Sequence, residues 1–298
     1  MLQPGTPSLD QLKVFLTVVE TGSFAAAGRQ LGRATSAISY AIANLEMQLG
    51  MPMFDRDSTR KPQLTQAGRA VLAEARTVSL GIDNLRAKVK GLLSGLEGEV
   101  AIAVDVMLPT ARLVDAMQAF EAEFPTVTLR LHVEALGAVT QLVQSGIANI
   151  GVSGPLIVQA AGIERVDIGG VELVPVAAPH HPLAQSFENQ PGAARDHVQL
   201  VLSDRSSLTE GIDFGVVSLR SWRLADLGAK HALLLAGVGW GNMPEPMVRE
   251  DIAAGRLKRL DLPDWNGAFC TFHVIHRTDT PPGPAAAWLI KRFAEQVS

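Results

Sequence analysis

The sequence predicts an α/β protein. A head of winged helix-turn-helix type and one long linking helix precede a two-lobed, doubly wound α/β domain. Three observations predict this. Residues 1–65 carry three short apolar-periodic helices punctuated by glycine, residues 66–95 one uninterrupted helical stripe, and residues 96–298 alternating strand-like and helix-like runs.

With 298 residues, 47% hydrophobic and 19% charged, the chain can bury two or three cores, and disorder and collagen-like repetition are excluded. No apolar run approaches the roughly 18 residues of a membrane span; the strongest, Leu233 to Val238, is short. Met1 to Asp10 holds no Lys or Arg and no apolar stretch, so no secretory signal is expected and the chain is expected to be cytoplasmic. The net charge of -4 is unevenly spread: residues 1–90 hold 11 Lys/Arg against 7 Asp/Glu, residues 91–298 hold 15 against 23. A basic head on an acidic body suits a unit that meets phosphate joined to one that need not.

Ser8 and Gln11 form a capping box that opens a first helix, with Leu9, Leu12, Phe15, Leu16 and Val19 at helical spacing and Thr21-Gly22 as its stop. A second helix opens at Ser23, carries Phe24, Ala27 and Leu31, and ends at Gly32. A third runs from Thr35 to Leu49 with Ile38, Ile42, Leu45 and Leu49 buried and Gly50 as its stop. The tight turn between the second and third makes a helix-turn-helix. Met53, Phe54 and Leu64 then flank a polar stretch, Asp55 to Gln63, holding Arg56, Arg60 and Lys61. After a helix-turn-helix this reads as a basic wing rather than an ordinary hairpin.

From Thr65 to about Leu93 a proline-free helix places Leu72, Ala75, Val78, Ile82, Leu85, Val89 and Leu92 at steps of three and four. The expected cover for this stripe is the same helix of a second subunit; the alternative is the downstream domain. Ser94-Gly95 and Gly98 mark a hinge.

Beyond the hinge the expected order is strand Val100–Val104, helix Pro109–Phe124, strand Val127–Val133, helix Ala138–Ser145 and strand Ile147–Ser153. From Gly162 it restarts through strands Leu173–Ala177 and Val198–Leu202, a helix near Leu224–Ala236, strands Leu257–Leu262 and Phe269–His276, and a last helix Ala285–Val297. Lobe I is assigned to about 96–163 and 268–298, and lobe II to about 164–267.

The single cysteine, Cys270, cannot form an intramolecular disulfide and reads as a small buried hydrophobe rather than a nucleophile. His273 and His276, three apart on a strand, face opposite sides. The glycines at 237, 239 and 241 follow a helical run rather than a strand, so they are no dinucleotide fingerprint. No Walker, G-x-S-x-G or H-E-x-x-H pattern is present. No metal, cofactor or enzymatic activity is expected.

The runs L-x-x-F-L-T-V-V-E-T-G-S-F-A-A-A-G-R-Q-L (Leu12 to Leu31), S-A-I-S-Y-A-I-A-N-L-E-M-Q-L-G (Ser36 to Gly50), M-F-D-R (Met53 to Arg56) and L-T-Q-A-G (Leu64 to Gly68) together resemble LysR-type transcriptional regulators. The resemblance extends more loosely into the body through H-P-L-A (His181 to Ala184), G-V-G-W-G-N-M-P (Gly237 to Pro244) and S-G-I-A-N-I-G-V (Ser145 to Val152), where Asn149 stands at a usual Asp. In the head, Ala34-Thr35 replaces the usual Ser/Thr-Gln, which removes a capping side chain that Thr35 or Ser36 could replace. The wing is one residue longer than usual.

The resemblance implies a regulator that binds double-stranded promoter DNA, meets RNA polymerase there, assembles as a homodimer or homotetramer, and holds a small-molecule effector, such as a carboxylate or aromatic acid, between its lobes. Thr35, Ser36, Ser39, Tyr40 and Asn44 are then expected at DNA bases, and Arg33, Arg56, Arg60 and Lys61 at phosphates. Ligands of two-lobed α/β folds sit at the C-terminal ends of strands. The expected effector residues are therefore Asp105, Val106, Met107, Glu134, Ser153, Ser203, Arg205, Trp240 and Asn242, with Arg205 for a carboxylate and Trp240 for a ring. Asp105 and Glu134 oppose a highly anionic ligand. The competing class is a solute-binding protein without DNA function.

Overall fold

A computed structural model describes residues 5–55, 62–154, 161–185, 190–204, 206–209, 211–212, 214–265 and 267–295. The chain divides into two compact units, Met1–Lys90 and Gly91–Ser298.

In the first unit, α1 (Leu9–Thr21), α2 (Phe24–Leu31) and α3 (Thr35–Leu49) follow the apolar spacing closely. Ser8 and Gln11 close the expected capping box, and Gly22, Gly32 and Gly50 take left-handed backbone angles at the three helix ends. Phe15, Val18, Ala27, Ile38, Ile42, Leu45, Met53 and Phe54 form one core, in which Phe54 meets Phe15 and Phe24 edge-on at 5.6 Å. Gly28 lets the turn into α3 close: a Cβ there would lie 2.7 Å from the Arg33 carbonyl oxygen. The wing's base is an antiparallel bridge between Phe54 and Leu64. Its tip, with Arg56, Arg60 and Lys61, lies outside the described residues.

Thr65 caps α4 (Gln66–Leu93) by accepting the Gly68 N–H at 2.9 Å. Its early turns correct one expectation. Ala75 is buried in the head's core and Leu72 packs against it, so these two are not free for a partner helix. The stripe turns slowly around a straight helix, and its first two turns pass over the wing and the head before the rest emerges. Val78, Leu85, Val89 and Leu92 remain exposed, and Ile82 is half-buried.

The second unit holds a nine-stranded mixed sheet among the described residues. Its strands are β1 (Glu99–Asp105), β2 (Thr128–Glu134), β3 (Ile150–Ser153), β4 (Ile163–Ala177), β5 (Gln199–Leu202), β6 (Ser221–Leu224), β7 (Trp240–Pro244), β8 (Lys258–Arg259) and β9 (Ala268–Arg277), in the order β2-β1-β3-β9-β4-β7-β5-β6, with β8 beside β4. The outer strands of each lobe run parallel, β2-β1-β3 on one side and β7-β5-β6 on the other. The lobes are joined by the antiparallel pair β4 and β9. β4 pairs with β9 through Ile163–Asp167 and, after a register shift, through Gly170–Leu173, and with β7 through Leu173–Ala177.

Helices α5 (Thr110–Glu123) and α10 (Pro284–Glu295) cover one face of lobe I, where Phe120, Phe124 and Trp288 form an aromatic cluster. Glu97 accepts the Ala285 and Ala286 N–H groups and so anchors α10 to the first lobe. The opposite face carries α6 (Gly137–Gln144), whose Val139 and Val143 pack on Ala103 and Ile275. Both faces being covered explains the unbroken burial of β1 from Val100 to Asp105. Asn149 accepts the Ala101 N–H at 2.7 Å through its side-chain oxygen, a role a carboxylate oxygen would fill equally. Lobe II adds the short α7 (Pro182–Gln185), α8 (Leu227–Leu235, capped by Asp226) and α9 (Glu245–Ala253).

Candidate functional site

Two regions gather polar groups that the fold itself does not use. The first is the outer face of α3. Ile38, Ile42 and Leu45 anchor the helix in the core, which turns Thr35, Ser36, Ser39 and Tyr40 outward, the last 70% exposed. Asn44 is half-buried and Met47 is 72% exposed. No side chain caps α3 at Ala34, so neither Thr35 nor Ser36 replaces the missing cap. The helix start keeps free N–H groups toward solvent. Glu46 ties the wing to α3 by accepting the Met53 and Phe54 N–H groups at 2.7 and 3.2 Å.

Arg33, expected at a phosphate, is exposed and forms a surface ion pair. Its guanidinium is held by both carboxylate oxygens of Asp10 at 2.8 Å, and that bond keeps the Asp10 carboxyl below the usual carboxylate range. A phosphate would compete with Asp10 for this fork, and an exposed ion pair of this kind holds it only weakly.

The second region is the cleft of the α/β unit. A cavity of about 310 Å³ opens between the lobes, lined by Met107 and Leu136 from lobe I, by Leu200, Leu202, Lys230, Asn242 and Trp265 from lobe II, and by Phe269 and Cys270 of β9. A more polar cavity of about 570 Å³ adjoins it at Leu136, Val201 and Leu202 and reaches Ser203, Asp204, Ser206 and Arg223. The lobes touch beside both cavities. A Cβ on Gly137, at the start of α6, would lie 2.5 Å from Ser206 Oγ and 3.1 Å from Asp204 Oδ2, so a larger residue there would have to push these side chains aside. The neighbouring Leu136 holds φ 50°, left-handed backbone that costs of order 1–3 kcal/mol in a non-glycine residue.

Of the expected effector residues, Met107 and Asn242 line the first cavity and Ser203 the second. Trp240 does not: it is 0% exposed, packs with Ala177, Leu183, Leu260 and Leu262, and donates its indole N–H to Ser218 Oγ at 3.2 Å. The reason is position along the strand. Trp240 is the first residue of β7, whereas the cleft opens at strand C-termini, two residues nearer to which Asn242 stands. The indole at the cleft is Trp265, which donates to Asn242 Oδ1 at 2.9 Å.

Asp105 stands at the cleft edge but is fully consumed. Its oxygens accept the backbone N–H groups of Met107 at 2.9 Å, Leu136 at 3.0 Å and Gly154, which ties together the ends of β1, β2 and β3. Burial pushes its carboxyl up to about 6, the three amides pull it back, and Asp204 pushes it further up. Ser153 is buried and donates to the Gly154 carbonyl. Val106 packs against the lobe I core and its N–H bonds the Glu134 carbonyl oxygen. Glu134 is exposed and lines neither of these cavities. Arg205 lies outside the described residues.

Sequence reasoning missed Lys230. On α8 it is 3% exposed, donates from Nζ to the Asn242 carbonyl oxygen at 2.7 Å, and is lowered by burial to about 8. The available signal was a lysine inside the apolar helical run Ala229 to Ala236, because lysine is almost never fully buried without a purpose. Cys270, also at the cavity, is pushed up to about 12 by burial and by Asp105, so it stays a thiol and has no nucleophilic character.

Both parts of the chain match known protein families. Residues 9–69 match the bacterial regulatory helix-turn-helix protein, lysR family, and residues 93–298 match the LysR substrate binding domain. The chain is 31% identical over 264 residues to the HTH-type transcriptional activator AllS of Klebsiella pneumoniae, covering 86% of this chain and 94% of that one. It is 28% identical to the HTH-type transcriptional regulator AceR of Acinetobacter baumannii, covering 94% of each. Among solved structures, full-length LysG of Corynebacterium glutamicum with bound effector Arg shares the fold at a TM-score of 0.53 and 20% identity, covering 97% of this chain and 98% of that one. With a helix-turn-helix presenting an outward polar face and a two-lobed domain enclosing a cavity, the chain belongs to the LysR family of DNA-binding transcriptional regulators with an effector-binding domain.

Proposed function

We propose that Thr35, Ser36, Ser39 and Tyr40 read base edges in a major groove, that the wing residues Arg56, Arg60 and Lys61 hold phosphates, and that Asn44 assists from further along α3. The observation that carries this is the outward face of α3, where hydroxyl groups stand exposed above a fully buried apolar stripe. The exposed α4 residues Val78, Leu85, Val89 and Leu92 pair with a second copy, giving a homodimer, or a tetramer of two such pairs, that reads two half-sites. The units are residues 1–65 for DNA, 66–95 for the linker and 96–298 for the effector. The protein works in the cytoplasm, on promoter DNA with RNA polymerase as a further partner, as a regulator and not an enzyme. An effector held in the cleft favours one lobe arrangement, and the DNA grip responds to the extent that affinity differs between arrangements. The alternative of a solute-binding protein leaves the head without a role.

The test is selection of binding sites from random duplex DNA with the full chain, followed by a salt series on the selected site. Replacing Ser39 or Tyr40 with Ala should alter the selected sequence. Replacing Arg56 and Arg60 with Ala should weaken all DNA alike and flatten the salt dependence by about one unit of slope for each phosphate no longer held. An unchanged selected sequence in both α3 variants would move base reading off this helix. Leu85→Asp should lower the sedimenting mass of the full chain, and an unchanged mass would remove α4 from the interface.

A further inference from the structure

We propose that the first cavity takes a small organic acid with one anionic group and an apolar body, and that Lys230 of lobe II binds the anion. This rests on the reading of the cleft as the effector site and adds the residue that takes the anion, the single charge of the ligand and its orientation.

Four observations carry it. Lys230 is buried and lines the cavity, and its only partner among the described residues is the Asn242 carbonyl oxygen. An ammonium has three N–H donors, so two remain for a ligand. Much of the remaining wall is apolar: Met107, Leu200, Leu202, Trp265 and Phe269 offer hydrocarbon and rings. In lobe I the amides of Met107, Leu136 and Gly154 are taken by Asp105 and so are not open to a ligand anion. The cation that lines the cavity is on lobe II. Finally, Asp105 and Asp204 stand close enough to repel each other, and both disfavour a second negative charge on the guest.

A buried lysine without a carboxylate partner is costly to keep. An incoming carboxylate would supply that partner inside a site of low polarity, where a charge-assisted hydrogen bond is strong. The apolar body would fill the space between Met107 and Trp265 and draw the lobes together.

The test uses the full-length chain and calorimetric titration with benzoate, phenylacetate and hexanoate, against benzyl alcohol, benzylamine and phthalate as neutral, cationic and dianionic controls. The monocarboxylates should bind at least about tenfold more tightly than every control. Lys230→Met should remove that preference while the protein keeps or raises its melting temperature, and Lys230→Arg should retain part of it. Equal binding of benzyl alcohol, undiminished binding of monocarboxylates to Lys230→Met, or no monocarboxylate binding up to about 10 mM would each overturn the proposal. The underlying reading is tested by Ala268→Trp, which fills the cavity from its rim. A different class of compound that binds the wild type and fails on Ala268→Trp would keep the cleft as the site and reject the monocarboxylate. A compound whose binding survives Ala268→Trp would reject the cleft itself.

Discussion

On the proposed reading, Tyr40 on the head faces DNA and Lys230 in the body faces a small ligand, yet the first is 70% exposed and the second 3%. The difference follows from the partners. DNA presents a large, hydrated surface, so the head keeps its reading side chains in water, where they cost the fold almost nothing. A small ligand offers few contacts, and recognition by a handful of groups requires that they be taken out of water, where each counts for more. On that reading the lysine held down at about 8 by burial is the body's ligand-facing charge, whereas the buried carboxyl of Asp105 is spent on the ends of the strands. The lysine's charge is kept at the expense of stability.

The sharpest break in this comparison separates aromatic residues by burial. Trp240→Ala should destabilise the α/β unit by about 3–5 kcal/mol, because it empties a packed site and leaves Ser218 without the indole donor. Tyr40→Ala should change stability by less than about 0.5 kcal/mol while changing DNA preference. Urea unfolding of the two variants measures both effects, and a comparable loss in each would mean that Tyr40 is part of the head's core. A middle-sized effect concerns pH. The Lys230 ammonium titrates in the folded chain at about 8 and ordinarily at 10.5. Between those values the unfolded chain holds more protons, so stability should rise as pH increases from 8 to 10.5. Lys230→Met should lack that rise. The smallest effect is at the recognition helix. Ala34 has extended backbone and no capping bond, so Ala34→Ser should stabilise the head by about 0.5–1 kcal/mol. It should also weaken DNA binding if the free N–H groups of α3 meet a phosphate. A stabilised head with unchanged DNA affinity would leave those groups unused.

The same contrast explains what is legible in the sequence. The head is built from local signals: Ser8 and Gln11, the three glycines after the helices, and the Ile38, Ile42, Leu45 stripe all act within a few residues. The outward side chains follow from that stripe by helical geometry alone. The exception is Arg33, whose partner Asp10 is 23 residues away and invisible to any local pattern. In the body, β7 and β6 leave no such signal, because W-G-N-M-P and S-W-R-L are too short and irregular to show alternation. Leu224 resembles a helix residue by its apolar character, yet it ends β6, and the helix begins only after the Asp226 cap. The cleft is harder still. Lys230, Asn242, Trp265 and Met107 come from four separate segments, and only the paired strands β4 and β9 fix which strand ends face it. Choosing Trp265 over Trp240 needs the length of β7, which the sequence does not mark.

The measurement that bears most directly on this contrast is the melting temperature of the full-length chain without ligand, wild type against Lys230→Met. The fall of the Lys230 ammonium from 10.5 to about 8 corresponds to about 3 kcal/mol against its charged form. Replacing it with an apolar side chain of similar length should therefore raise the transition of the α/β unit by several degrees, for a net gain of about 1–3 kcal/mol once the bond to Asn242 is gone. A fall of the size expected for Trp240→Ala would show that Lys230 holds the fold together, and that the body keeps no charge in reserve for a ligand.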